Sequence, residues 1–293
     1  AVVALGNFDG FHLGHQAVAG RAVAMARASG VPAIIATFDP HPVRHFRPDT
    51  APFRLTTLDQ RQALFAAAGA DAMLVLEFGE AMAAMTADAF VGELLVARLG
   101  VSAVVTGEDF VFGRGRGGNG DTLAAAGERH GFAYARVAPV LDGGEPVSSS
   151  RIRAALQAGD CATATRLLTR PFAIAGTVQH GDKVGRTLGY PTANIDMGKY
   201  LRPRYGVYAV TGRLADGRLL GGAANVGIRP QFDPPKELLE PHFFDFSGDL
   251  YGQEVEVAFH AFLRGEARFD SLDALTAQMA RDCKEARAIL SAL

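Results

Sequence analysis

Two histidines three residues apart, His12 and His15, stand inside a glycine-rich turn, GNFDGFHLGH, at residues 6–15. Imidazoles can donate hydrogen bonds to phosphate oxygens whose charge grows during transfer. Glycines Gly6, Gly10 and Gly14 let a backbone turn tightly and approach a ligand. The stretch follows a short apolar run and opens a helix, so Asn7, Phe8 and Asp9 lead into unpaired helix N–H groups that suit an anion. Losing one such preorganised donor costs about 2.7–4 kcal/mol of barrier stabilisation. The same residues have two plainer uses: capping or packing at a helix start, and a metal pair.

Further pieces lie downstream. TFDPHP at residues 37–42 carries Asp39 and His41, aimed by prolines that stiffen the loop. GEDFVFGRGRGGN at 107–119 interleaves aromatic and basic residues with glycine, and includes Asp109 and Phe110. Such a loop can stack a ring and hold phosphates, or be a solvent loop. SSSRIR at 148–153 leads a helix: the serines Ser148, Ser149 and Ser150 cap its N-terminus, and the arginines Arg151 and Arg153 can clamp a triphosphate.

A second set occupies residues 176–194, GTVQHGDKVGRTLGYPTAN. The Walker pattern GxxxxGK[ST] is missing, which excludes ordinary P-loop chemistry. The glycines of this stretch, Gly176, Gly181 and Gly185 among them, can let a loop fold over a nucleotide, and with Lys183, Arg186 and Pro191 they are the candidate ATP residues of this half. Thr192 and Asn194 supply neutral oxygens of the kind that hold Mg²⁺ beside substrate phosphates. A tight turn series with a satisfied Asn would use the same residues.

These residues need elements to hold them. Residues 2–5, 33–38, 73–76 and 101–106 are apolar runs that read as strands, and residues 14–28, 58–68 and 87–99 read as helices. That alternation predicts a doubly wound parallel α/β sheet, with ligands outside the carboxyl ends of its strands, where the first motifs fall. Past residues 168–172 the pattern changes. Strands at 172–178, 206–212, 219–225 and 254–263, separated by Gly- and Pro-rich loops, and a last helix at 272–293 predict a small antiparallel β-barrel with a C-terminal helix. The expected domains are 1–168 and 169–293.

The chain has 293 residues, 48% of them apolar, and a net charge of −2 with no long block of one sign. A non-specific nucleic-acid binder needs a basic face, and none is evident. No apolar run has the length of a membrane span and no signal-peptide pattern appears, so a soluble cytoplasmic protein is expected. Its two cysteines, Cys161 and Cys283, form no CxxC pair and read as buried or bystander thiols.

The set GNFDGFHLGH, TFDPHP, GEDFVFGRGRGGN and VSSSRIR resembles the adenylyltransferase module of bacterial bifunctional riboflavin kinase/FAD synthetases. The second half resembles the same family's kinase module through PTAN at 191–194 and NVGIRPQF at 225–232. The resemblance covers nearly the whole chain. It implies that His12 and His15 bind ATP phosphates and stabilise the transition state, with Ser149, Ser150 and Arg153 as a second phosphate clamp. Asn7, Asp9, Asp39 and His41 fall in its substrate-contact motifs, and Asp109 and Phe110 on its FMN side. Thr192 and Asn194 match its Mg²⁺ and nucleotide residues, and Glu240 its catalytic base. Asn225, Arg281 and Arg287 match its flavin side. Ser150 and Gln231 stand where the family usually has Thr, and Pro241 after Glu240 is unusual, since a Pro removes a strand donor.

The implied function is ATP-dependent phosphorylation of riboflavin to FMN, then adenylylation of FMN to FAD with release of pyrophosphate. The implied cofactor is Mg²⁺, and the partners are riboflavin, FMN and ATP, with no nucleic acid or membrane and a monomer or weak homo-oligomer. A sugar hydroxyl needs a positioned base, worth about 10²–10⁴-fold, whereas the FMN phosphate is already an anion. The His, Ser and Arg of the first set and the carboxylate of the second fit that contrast. Another nucleotidyltransferase with an unrelated barrel, or a binder without chemistry, are the competing readings; the PTAN stretch and Glu240 separate them from the first.

Overall fold

The computed structural model describes residues 1–180, 189–229 and 236–293. The chain forms two compact units: Ala1–Ala51 with Thr57–Ser148, and Pro52–Thr56 with Ser149–Leu293.

In the first unit, β1 (Val2–Leu5), β2 (Ala33–Asp39), β3 (Ala72–Glu77), β4 (Ala103–Gly107) and β5 (Ala133–Val137) make a five-stranded sheet in the order β3-β2-β1-β4-β5. All four ladders are parallel. Such strands are covered on both faces, which is why they read as continuous apolar runs rather than alternation. Val3 and Leu5 of β1 pack with Phe38, Phe90 and Leu95 on one side. Val2 and Ala4 pack with Ala19, Ala22, Ile35 and Phe65 on the other. Each large apolar side chain so buried contributes about 1.5–3 kcal/mol. The strand order reverses between β1 and β4, so the crevice at their carboxyl ends is where such a sheet takes a ligand. The helix Leu13–Ser29 springs from that end of β1 and stops at Gly30, whose left-handed backbone turns its N–H onto Ala26 and Arg27.

The strand expected from residue 101 starts at Ala103, and the helix expected over 87–99 is α-helical only over Ala87–Ala89 before a π-helical stretch, Phe90–Arg98. β5 was not expected: Tyr134 and Arg136 interrupt its apolar pattern, and pairing with β4 makes it a strand. A short hairpin, β6 (Leu141–Asp142) with β7 (Glu145–Pro146), ends the unit.

The second unit begins with helices Ser149–Ala158 and Cys161–Leu168. Then β8 (Phe172–Gln179), β9 (Asn194–Asp196), β10 (Gly206–Leu214), β11 (Leu219–Arg229), β12 (Lys236–Phe243) and β13 (Glu254–Arg264) close into an antiparallel barrel in the order β10-β11-β12-β9-β8-β13. Val178, Ile195, Leu239 and Val226 sit opposite one another across four strands, each at most 3% exposed, and fill the interior. The helix Leu272–Leu290 covers part of the outer face, where Ala286 meets Ala209, Ala223 and Phe244. Arg264 holds that helix through Asp282, which is 4% exposed and accepts from Nε at 3.0 Å and from Nη2 at 2.7 Å.

Candidate active sites

The turn after β1 is built on two phenylalanines. Phe8 and Phe11 hold left-handed backbone angles, φ 48° and 46°, which are strained for bulky residues. Their rings, 1% and 3% exposed, pack edge-on against Phe65 and offset that strain by burial. Between them lie Gly10 and a buried Asp9. His12 is the N-cap of the helix Leu13–Ser29: its Nδ1 accepts from the backbone N–H of His15 at 3.4 Å. In the neutral ring the proton therefore sits on Nε2, giving a donor of the kind a phosphate oxygen needs. The His15 ring stacks on His12 with centroids 3.6 Å apart and also meets Phe8 edge-on at 5.2 Å. A side chain at Gly14 would put its first carbon 3.2 Å from the His12 ring, so glycine there lets the two rings close up.

Asp39 ends β2 and His41 follows it, beside the end of β1. His41 caps the short helix Pro42–Phe46 through Nδ1, which accepts from Val43 N at 3.2 Å. Asp109 and Phe110 follow β4, on the other side of β1. Phe110 stacks on Phe112 at 5.8 Å, and a bridge between Phe112 and Gly118 orders the glycine-rich loop. Residues of three motifs thus gather at the carboxyl ends of the adjacent strands β2, β1 and β4. Ser149, Ser150 and Arg153 belong to the second unit. There Arg153 donates from Nε to the Phe53 carbonyl at 2.9 Å and lies over the Phe53 ring at 5.2 Å.

On the barrel, the residues next to the interior row face outward, because strand side chains alternate. Gln179 pairs with Asn194, and Glu240 pairs with Asn225. Ile195 lies opposite Leu239, and the Ala193 N–H reaches the Pro241 carbonyl at 2.9 Å, so the β9–β12 register carries Asn194 to the position beside Glu240. Asn194, Glu240 and Asn225 therefore stand side by side on three strands, on the face that the C-terminal helix also covers. Glu240, 13% exposed in its side chain, accepts at Oε2 from Arg229, and the Asn225 amide lies 3.5 Å from the same oxygen. Pro241 disturbs none of this: the β11–β12 ladder runs through it without a register shift.

Thr192 lies two residues before Asn194, the first residue of β9, and both are half-buried. Their donor set is hard and neutral, which suits Mg²⁺ shared with phosphate oxygens, and among the described residues no cluster of His, Cys, Asp and Glu forms an all-protein metal cage. Pro191 places its carbonyl 2.9 Å from His242 Nδ1. Gly176, within β8, faces Ile195 so closely that a Cβ would come within 2.7 Å of it. Gly181, Lys183, Gly185, Arg186 and Gln231 lie outside the described residues. Arg281 donates to Gln278 on its own helix, while Arg287 pairs with Asp245 at 2.7 and 3.0 Å and lies over Phe244.

The FAD synthetase family model matches residues 1–151, and the riboflavin kinase family model matches residues 168–290. The bifunctional riboflavin kinase/FMN adenylyltransferase of Escherichia coli (strain K12) is 41% identical over 286 residues, 98% of this chain and 91% of that protein. The chain belongs to this bifunctional family. Its members are named for making FMN from riboflavin and FAD from FMN. The Pseudomonas fluorescens member is 43% identical over 98% of this chain and 92% of its own. A crystal structure described as a macrolide-efflux protein from Streptococcus pneumoniae superposes with TM-score 0.88 at 31% identity, covering 98% of this chain and 93% of that one. Among the described residues no helix is long and apolar enough to cross a membrane.

Two cations next to the motif residues were not singled out from the sequence. Arg229 stands inside NVGIRPQF, and only the β11–β12 pairing shows that it reaches Glu240. Arg61 shares the buried stripe of the helix Leu58–Ala67 with Phe65, four residues on. An arginine on an apolar stripe was the available signal.

Proposed function

We propose that the barrel unit transfers the terminal phosphoryl group of ATP to the riboflavin 5′-hydroxyl, and that the sheet unit transfers AMP from ATP to the FMN phosphate with release of pyrophosphate. The two activities are assigned to residues 1–168 for adenylylation and 169–293 for the kinase. The observation that carries this reading is the outward row Asn194, Glu240 and Asn225: an adenylyltransferase alone has no need of a carboxylate set among neutral amides on a barrel.

Glu240 is the base. Arg229 and Asn225 engage Oε2, so Oε1 takes the hydroxyl proton as the oxygen attacks phosphorus. Thr192 and Asn194 would hold Mg²⁺, which supplies charge neutralisation at the transferring phosphates. Gly176, Gly181, Lys183, Gly185, Arg186 and Pro191 are assigned to ATP, and Asn225, Arg281 and Arg287 to the flavin. In the sheet unit, FMN attacks as an anion, and the work is positioning and charge stabilisation. His12 and His15 act on the ATP phosphates within the turn of Gly6, Asn7, Phe8, Asp9 and Gly10. Ser149, Ser150 and Arg153 are assigned to ATP phosphate as well, and Asp39, His41, Asp109 and Phe110 to the FMN side. The enzyme is assigned to the cytoplasm, acting on small molecules as a monomer or weak homo-oligomer; its net charge of −2 without a basic block supports this over nucleic-acid binding.

The test is incubation with riboflavin and Mg-ATP, with chromatography of the products. FMN followed by FAD is expected. FMN alone would leave only the kinase, and neither product would favour a binder without chemistry.

A further inference from the structure

We propose that Arg61 is a positioning residue for adenylyl transfer, fixing the Asn7 peptide and through it the histidine turn. The inference rests on the reading of that turn as the adenylyl-transfer centre.

Arg61 is 1% exposed, yet it carries a charge on a helix whose stripe is otherwise apolar. A buried arginine is retained only where its donors are used. Here Nη1 donates to Thr37 Oγ1 at 2.8 Å and to the Asn7 carbonyl at 3.3 Å. Nε lies 3.4 Å from the Thr57 carbonyl, and Nη2 is 4.0 Å from Asp39 Oδ1. Thr37 Oγ1 in turn donates to the Asn7 carbonyl at 2.8 Å. The accounting closes: the hydroxyl has one proton, spends it on Asn7, and so must accept from Arg61.

The parallel ladder between β1 and β2 ends at Leu5 and Ala36, so the sheet does not hold the Asn7 carbonyl. Thr37 and Arg61 do so instead. In a trans peptide the N–H points opposite the carbonyl. Pinning the Asn7 oxygen toward Arg61 therefore aims the Phe8 N–H the other way and sets the start of the strained backbone at Phe8. The Phe8 ring touches His15 at 5.2 Å, and His15 stacks on His12. A buried guanidinium thus bears on the geometry of both imidazoles through the Asn7 peptide and the Phe8 ring. A misplacement of about 1 Å at a reacting centre is enough to cost about 10²-fold. Lysine could not replace it, since one ammonium on a flexible stem lacks the planar fork that spans Thr37, Asn7 and Thr57.

The experiment measures FMN-to-FAD conversion by Arg61→Met, Arg61→Lys, Thr37→Val, Thr37→Ser and the Arg61→Met/Thr37→Val pair, with FMN formation by the same molecules as an internal control. Arg61→Met and Thr37→Val are each expected to lower kcat for FAD about 10- to 100-fold while KM for ATP changes less than about 3-fold. Thr37→Ser should recover most of the rate, Arg61→Lys should not, and the pair should be no worse than Arg61→Met alone. A loss confined to KM, a product of the two single losses in the pair, or full activity in Thr37→Val overturns the proposal. If Arg61→Met does not fold, the near-isosteric Thr37→Val and its Ser counterpart decide. His15→Ala separates the two levels: if it leaves FAD synthesis intact, the assignment of the turn itself fails. If it abolishes FAD while the Thr37 variants are normal, only the Arg61 inference fails.

Discussion

Arg229 and Glu240 form an ion pair across β11 and β12, although they are not opposite each other in the ladder. The residue opposite Glu240 is Asn225; Arg229 faces Lys236 and reaches back along the strands to share Oε2 with the Asn225 amide. The pair engages one oxygen of a carboxylate that is 13% exposed, and under the proposed role the other oxygen takes the proton. Glu240→Gln keeps the size and the neighbours but cannot accept a proton. It should lower FMN formation about 10²–10⁴-fold and leave FAD formation from FMN unchanged, read as the two rates in one preparation. Arg229→Met should lower FMN formation by a smaller factor, about 10-fold, through disorder of the carboxylate. Equal losses of both products in either variant, with folding intact, would contradict separate centres.

His12 has two jobs that one substitution can separate. Its Nδ1 caps the helix Leu13–Ser29, and its Nε2 is the donor in the proposed phosphate role. Asparagine is a good N-cap but cannot place a donor where an imidazole Nε2 stands. His12→Asn should therefore leave the thermal midpoint of the sheet unit near the parent value and still lower FAD formation about 10²–10³-fold. His12→Ala should lose the rate and, in addition, about 1 kcal/mol of stability through the missing cap. If His12→Asn retains normal FAD synthesis, the ring acts as a cap only and the donor role falls.

The histidine turn and the sheet around it were legible because local rules agree there. The apolar run Val2–Leu5, the glycines and the Ala-rich helix all point one way. The barrel strand that bears Glu240 was not. Lys236–Phe243 reads KELLEPHF, with two leucines together and a proline, so neither period 2 nor strand propensity marks it. Pairing with β11 on one side and with β9 on the other makes it a strand, and that information is non-local. Asn194–Asp196 is too short to announce itself for the same reason. The missed cations share this cause. Arg61 meets Asn7 at a separation of 54 residues and Thr37 at 24, contacts that only the folded sheet brings together.

His260 makes barrel stability depend on pH in a window of its own. Its Nε2 lies 2.8 Å from Thr211 Oγ1, and burial lowers its pKa from the usual 6.5. The folded barrel thus disfavours the charged ring relative to the unfolded chain. With the folded pKa below the unfolded one, the unfolded state binds more protons, and stability rises with pH through that interval. The contribution is complete above the unfolded value of 6.5 and is lost as pH falls through the folded value. Glu237, held low by Tyr205 and Arg202, loses its contribution only as pH falls below the ordinary carboxylate value of 4.5. His260→Gln keeps a hydrogen-bonding partner for Thr211 and removes the titration. Denaturant unfolding followed by tyrosine fluorescence, scored on the transition that accompanies loss of FMN formation, should show parent stability falling more steeply than that of His260→Gln as pH drops below the unfolded value of 6.5. Parallel curves for the two proteins would mean that His260 titrates alike in the folded and unfolded states.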